Sequence, residues 1–477
     1  MIACAIVLAL GANQSAMAKE EVKDASVVQI NNDIVASAVG NVIILEQTSE
    51  EGAVLGNDFR LFQEGDTNGI GASVNGDGNE ADLSQIGTDN ITITTAIGDS
   101  NTQSVLQDGE GNETEVSIQG SENTVEIVQE GAGFFGIGNA TVNSIVGDAN
   151  EVMMEQGDGG HWALNKDMQG NENSIETKQS GVWNEIHLDE VIGDLNTIEV
   201  EQDGFWSTAK ITSMVGHGNQ VEIEQDGDRN QVALAEVTGD ENSIEIDQEG
   251  DYNTVESNIF TGNENDIMVG QLGNDNTATF DVIGDDNDFD VTQNGDENTA
   301  YVGGIGFGNE YTILQNGNVN EAHLVNFNGN DNDVNLTQTG DENVAVIQAS
   351  ADDPTLETSE NDIDLEQTGN MNDAVVNIST ILDSNQNTVD ILQDGDLNAL
   401  DILIEGSGHT IEIAQIGDEN MITGANGDAM LIGGAGIELS ITQEGTGNLV
   451  EGSIISGLGS VSITQVGDWN SATVVQQ

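Results

Sequence analysis

Along most of this chain, apolar and polar residues alternate with a period of two, in short runs closed by Gly and Asn. In Asn242-Ser243-Ile244-Glu245-Ile246-Asp247-Gln248, the odd members Asn242, Ile244, Ile246 and Gln248 fall on one side, and Ser243, Glu245 and Asp247 on the other. Asn123, Val125, Ile127 and Gln129 repeat the arrangement with Glu126 outside, and Asn276-Thr277-Ala278-Thr279-Phe280-Asp281-Val282 is a similar partner half. A period of two predicts a β-strand with one buried face. Helical spacing fits none of these segments, and the recurring glycines would break a helix every eleven residues.

The strands belong to a long internal repeat. A Gln-x-Gly-x-x-Asn element runs from Gln63 to Asn68, from Gln85 to Asn90 and from Gln107 to Asn112. It returns at Gln179, Gln225, Gln248, Gln271, Gln293, Gln315, Gln338, Gln367, Gln393, Gln415, Gln443 and Gln465, with degenerate copies at Gln129, Gln156 and Gln202. Successive glutamines are mostly 22 or 23 residues apart, with longer steps after Gln129, Gln338, Gln367 and Gln415. A second Gly-x-x-Asn lies midway, as from Gly76 to Asn79 and from Gly239 to Asn242, so that Asn68, Asn79, Asn90, Asn101, Asn112 and Asn123 advance in steps of eleven. Eleven residues make one short strand and one tight turn.

The prediction is an all-β fold: a stacked β-solenoid with two strands per rung, amyloid-like in its repetition. A two-stranded unit with one apolar face is unstable alone, whereas stacking buries that face continuously. Strands in adjacent rungs lie about 4.8 Å apart, so equivalent side chains meet their own copies. This lets amides point inward: a column of them satisfies itself, where an isolated buried Gln would cost roughly 1–3 kcal/mol. The inward ladder is assigned to Gln63, Asn68, Gln85, Asn90, Gln107, Asn112, Gln179, Asn184, Gln225, Asn230, Gln248, Asn253, Gln293, Asn298, Gln338, Asn343, Gln465 and Asn470. The corner glycines are Gly65, Gly87, Gly109, Gly227, Gly250, Gly295, Gly340 and Gly467, residues suited to a left-handed turn.

Three segments follow. Residues 1–18 read as a secretion signal, with an apolar run from Ala3 to Leu10 and a small-residue cleavage pattern at Ala16-Met17-Ala18. Residues 19–40 read as a polar leader, and 41–477 as the solenoid. Insertions around Phe134-Phe135, from Ala349 to Thr358 and from Gly424 to Gly436 are expected to bulge from corners, sparing the strands. The one cysteine, Cys4, lies in the signal, so no disulfide or thiolate site is expected in the mature chain. No later stretch is apolar enough for a membrane-spanning helix.

Charge narrows the partners. The chain holds 7 Lys and Arg against 86 Asp and Glu, a formal net charge of −79. Nucleic acid and anionic membrane surfaces both need clustered cations and are excluded as natural partners. Stacking also sets acid above acid, and two unit charges ~4.7 Å apart repel by roughly 0.9 kcal/mol even in water.

The row of Gln-x-Gly-x-x-Asn motifs behind a signal resembles the curlin repeat of bacterial curli subunits. The family's Asn-x-Ala is present at Asn276/Ala278, Asn298/Ala300, Asn320/Ala322, Asn343/Ala345, Asn372/Ala374 and Asn470/Ala472. The leading Ser of that family is mostly replaced here by Asn, as at Asn123 and Asn242. Its second Gln is mostly apolar, as at Ile118, Val191, Val237 and Val282. The resemblance implies secretion, export through a dedicated outer-membrane pore, and a bacterial cell-surface fibre of cross-β type acting in adhesion and biofilm matrix. Partners would be related curli subunits and the export machinery. An uncapped last rung from Asn470 to Gln477 would favour end-to-end self-assembly.

Other chemistry is thin. The carboxylates read as solvated faces and turn residues, and His161, His187, His217, His323 and His409 as scattered surface residues without ligand spacing. Trp162, Trp183, Trp206 and Trp469 fall at corners. No catalytic residue, metal site or cofactor is assigned, and the chain reads as a non-enzyme. A parallel β-helix lyase acting on acidic sugars would want clustered cations, and Lys166, Lys178, Lys210 and Arg229 are the only ones in the regular middle. The alternative reading is a calcium-stabilised β-roll adhesin, or another secreted β-solenoid surface protein. Asp66, Asp77, Asp99, Asp240 and their equivalents recur at one turn position, although a calcium roll repeats every nine residues.

Overall fold

Through most of the chain a strand pairs in parallel with the strands two before and two after it, so that one winding of chain carries two strands. Thus Asp58–Asp66, Glu80–Thr88, Thr102–Glu110 and Thr124–Ala132 form one wall. Val42–Thr48, Gly69–Asn75, Ile91–Ile97 and Glu113–Gln119 form the opposite wall. A computed structural model describes residues 17–22, 31–37, 40–48, 56–132, 138–188, 190–349 and 355–476. The fold is a parallel β-solenoid, and its chain divides into two compact units, 1–206 and 207–477.

Register follows the repeat. Gln63 stands opposite Gln85, and Gln85 opposite Gln107. In the second unit Gln293 stands opposite Gln315, and Gln315 opposite Gln338. Period-two alternation becomes alternating burial, as in Ser243–Glu249, where Ile244, Ile246 and Gln248 are buried and Glu245, Asp247 and Glu249 exposed. The first unit's core mixes Leu61, Leu83, Val105 and Ile127 with buried Thr92, Thr94, Thr114, Thr141 and Thr177. In the second unit the core includes a run of aromatic rings. Phe289, Tyr311 and Phe327 are fully buried, with neighbouring centroids 5.0 and 5.5 Å apart. Gly304 leaves the space these rings fill: a Cβ there would lie 2.9 Å from the Phe289 ring.

The expected polar leader, 19–40, is not free of strands. Met17–Val22 pairs with the 42–48 strand, and Asn31–Ser37 pairs with Asp58–Asp66. Asn32, Ile34 and Ala36 keep the period of two and stand opposite Phe59, Leu61 and Gln63, so the ladder already has a template there. Residues 1–16, including Cys4, and the insertion centres 133–137 and 350–354 lie outside the described residues. The third insertion contains Ala425–Gly427, a single 3-10 turn, and then the long bent strand Met430–Glu444. Among the described residues no helix is long and apolar enough to cross a membrane.

Candidate functional site: the stacked polar ladders

The inward glutamines form one continuous amide ladder in each unit. Nε2 of Gln63 donates to Oε1 of Gln85 at 2.8 Å, Gln85 to Gln107 at 2.8 Å, and Gln179 to Gln202 at 3.0 Å. In the second unit Gln225 donates to Gln248, Gln293 to Gln315, Gln338 to Gln367 and Gln443 to Gln465, at 2.8–3.0 Å. Every bond points the same way along the chain. A second donation goes to main chain, as from Gln293 to the Thr277 carbonyl at 3.1 Å, so the amide is satisfied sideways as well.

The asparagines stack at the corners in the opposite sense. Oδ1 of Asn68 accepts from the backbone N–H and from Nδ2 of Asn90, at 3.1 and 3.2 Å, while Asn90 Nδ2 also donates to the Gly109 carbonyl at 3.0 Å. Asn298 and Asn343 repeat both bonds with Asn276 and Asn320, and the Asn253 N–H donates to Asn230 Oδ1 in the same way. Asn112, Asn184 and Asn230 are buried in the same position, whereas Asn470 is partly exposed. Each asparagine thus does what the second half of a turn would do, tying its own corner to the next.

The corner glycines have φ between +101° and +145° at all eight positions read from the sequence. Conformation is only half of the requirement. A Cβ on Gly295 would lie 2.0 Å from the Gly317 carbonyl oxygen of the next coil, and one on Gly65 would lie 1.9 Å from that of Gly87. At Gly467 the nearest atom is 3.8 Å away. Between Gly and Asn the sequence reading missed a second left-handed residue. Thr67, Asp89, Trp183, Arg229, Tyr252, Val319, Leu397 and Trp469 all have φ near +60°. Trp162, by contrast, begins a strand and is not at a corner.

The residue after the corner glycine supplies a third, exposed ladder, and this is the role of the recurring Asp. Oδ1 of Asp99 accepts the Asp77 N–H at 2.8 Å, and Oδ1 of Asp251 accepts that of Asp228 at 2.8 Å. Asn274, Asp296, Asn318 and Asp341 continue the series. Among the described residues no group of three or more His, Cys, Asp or Glu is placed to hold a metal ion.

Two of the five histidines are not at the surface. His161 and His409 are each 1% exposed and occupy asparagine positions in the corner ladders. Their N–H groups donate to Asn139 and Asn387, and their Nδ1 atoms accept from the backbone N–H of Asn184 and Ile437, at 3.3 and 3.2 Å. The imidazole nitrogen replaces the amide oxygen, which composition alone does not reveal. Burial holds both imidazoles below their usual pKa. A further buried group, Glu405, accepts N–H bonds from Thr380, Ile381 and Leu382 and holds the 379–383 turn, where Ile381 is 75% exposed.

Outside the ladders the second unit carries acids in register. Asp266, Asp288, Glu310, Asp333 and Asp362 stand one above another on successive strands. Partial burial, with the neighbouring carboxylates second, raises the pKa of Asp288 and of Asp333.

Six segments of the chain match the curlin associated repeat family: 170–204, 216–255, 262–295, 284–317, 329–356 and 385–417. No curated protein matches the chain. The matched segments carry the 22–23-residue step, the Gln and Asn ladders and the glycine corners, so between residues 170 and 417 the chain is built of curlin associated repeats.

Proposed function

We propose that this chain is a structural subunit of an extracellular, curli-like amyloid fibre on a bacterial surface, acting in adhesion and biofilm matrix. In this reading it is secreted, catalyses no reaction and needs no cofactor. The supporting observation is the one-way ladder. Each coil offers Gln Nε2 and Asn Oδ1 on the side facing later residues, and Gln Oε1 and Asn N–H on the other. Any coil is therefore complementary to the opposite side of another coil of the same chain, and a second copy can continue the stack head to tail but not head to head. The strand Ser471–Gln476 is an example of a surface of this kind. It pairs with Leu449–Val466 on one side, and its inward Ala472, Val474 and Gln476 are only half-buried.

The test is thioflavin-T fluorescence with electron microscopy and fibre diffraction on the purified chain without its first eighteen residues, with and without millimolar calcium. Fibres with a ~4.7–4.8 Å meridional spacing formed without calcium are expected. A chain that stays monomeric and folds only after calcium is added would replace the fibre reading with that of a calcium-dependent adhesin.

A further inference from the structure

One wall of the first unit carries a compact uncharged patch. Its outward columns run Val42, Gly69, Ile91 and Ile44, Gly71, Ile93, in register across three successive strands. None of these six residues is charged, in a chain of net charge −79. Val42, Ile44 and Ile91 are 45%, 49% and 40% exposed, so apolar side chains stand in water on a flat sheet. The relief is equally specific. Gly69 and Gly71 form a trough one strand wide between two apolar ridges, and a Cβ added at either glycine would meet nothing within 4 Å. The trough is therefore open to an incoming group and is not filled from within.

We propose that this face is a lateral docking surface for the same face of a second copy, independent of how chains add end to end. The shape is self-complementary. A two-fold axis lying along the strand direction, between Gly69–Asn75 and Ile91–Ile97, sets Ile91 over the partner copy's trough at position 69 and Ile93 over position 71. It does so twice, once from each copy, which is the condition for an isologous interface. Sheets packed in this way lie about 10 Å apart, close enough for an isoleucine to fill a glycine-lined groove. Charge selects the occupant. A cationic partner gains nothing from these uncharged columns, while another acidic copy meets less repulsion here than on the carboxylate-lined columns.

The rims set the conditions. The next strand places Glu113 beside Ile91 and Glu115 beside Ile93, both exposed; on the other side Met17–Val22 sets Met17 opposite Val42 and Lys19 opposite Ile44, and Glu46 follows Ile44 on its own strand. In the paired arrangement the Glu113 and Glu115 column faces the partner's Val42 and Ile44 column, so salt should favour association by screening. Four strands of seven residues cover roughly 450 Å² per copy, below the ~800 Å² per partner of a standard stable interface. The single contact is weak, and it becomes effective where many copies are held along one filament.

The experiment compares the wild-type chain with Gly71→Glu and with Thr102→Glu, which adds the same charge on the opposite wall. Gly71 lies in ordinary strand conformation with open space, so the substitution does not disturb the coil. Self-association of the soluble chain is measured by sedimentation equilibrium in 0.5 M salt, and filament width by electron microscopy. The expected result is at least a tenfold weaker dimer for Gly71→Glu, with single filaments where the wild type and Thr102→Glu form paired ones. Equal self-association of wild type and Gly71→Glu, or equal bundling, overturns the proposal. If no variant forms filaments, the fibre reading falls, while the sedimentation result still decides the lateral face.

Discussion

The acid row of the second unit and the uncharged wall of the first are built on the same backbone. Asp266, Asp288, Glu310, Asp333 and Asp362 occupy one outward column; Val42, Gly69 and Ile91 occupy another. In both cases a residue meets its structural copy about one strand spacing away. Whatever an outward position carries is therefore multiplied: repulsion accumulates in one column and apolar surface in the other. The inward positions obey the same rule with a stricter outcome. Gln107 lies between Gln85 and Gln129 and bonds to both, whereas Gln103, four residues earlier on the same strand, lies between Ala81 and Val125, and neither its nitrogen nor its oxygen finds a partner. An amide is stabilising here because of its column, not because of its type.

The largest test of this contrast uses two glycines. Gly295→Ala forces a Cβ into the next coil's carbonyl and should remove about 4 kcal/mol or more, read as a urea-midpoint shift. Gly71→Ala, on the open wall, should be neutral or stabilising by about 0.5 kcal/mol. Equal effects would mean that the corner is not held by its backbone column. Next in size, Gln293→Leu strands the amides of Gln271 and Gln315 and should cost about 1–3 kcal/mol, while Gln103→Leu removes an unpartnered amide and should stabilise by about 1 kcal/mol. Opposite signs in thermal melts are the expected outcome, and a shared sign breaks the column rule.

Acid should act on the ladders and on the acid row in opposite directions. His161 and His409 have lowered folded pKa values, so the unfolded chain takes up protons first as pH falls below about 6.5. Their coils lose stability from there downward, by about 1 kcal/mol for each lost backbone bond. Protection factors at the Asn184 and Ile437 amides, that is exchange corrected for its intrinsic pH dependence, should fall between pH 7.5 and 5, and His161→Asn should abolish the change at Asn184. Asp288 and Asp333 have raised folded pKa values, so their contribution is favourable below the ordinary carboxylate range and is lost as pH rises through the folded value. Asp288→Asn should therefore stabilise the second unit at pH 7, by about 0.5 kcal/mol after solvent screening, and have no effect at pH 3. The smallest equilibrium effect is that of salt on single chains. Its visible consequence is kinetic: fibres should form faster in 0.5 M than in 0.01 M salt, and equal rates would count against accumulated repulsion.

Much of this was legible in the chain. Gln-x-Gly-x-x-Asn fixes strand, corner and register together, and the inward Gln63, Asn68, Gln293 and Asn298 follow from the period of two. What escaped is whatever is defined by the neighbouring coil. Thr67, Trp183 and Val319 share a left-handed backbone that no side-chain property announces. His161 looks polar and solitary until Asn139 and Asn184 are found on either side of it. The Asp of Gly-Asp-x-Asn resembles a ligand until its oxygen is seen capping the N–H of the previous coil.

That left-handed corner position has a consequence for how such a chain can change. Its side chain points away from both walls, and the turn tolerates Thr67, Arg229, Tyr252, Val319, Met371 and Trp469 alike, because the glycine and asparagine around it hold the geometry. A position of this kind can be rewritten without consulting the interior. Repeated coil after coil, it gives evolution, or a protein engineer, a row of editable letters at a nearly constant pitch, each read beside its neighbour, as Trp183 stacks on Trp206 and Arg229 bonds to Tyr252. The fold is conserved by one set of residues and the message is carried by another.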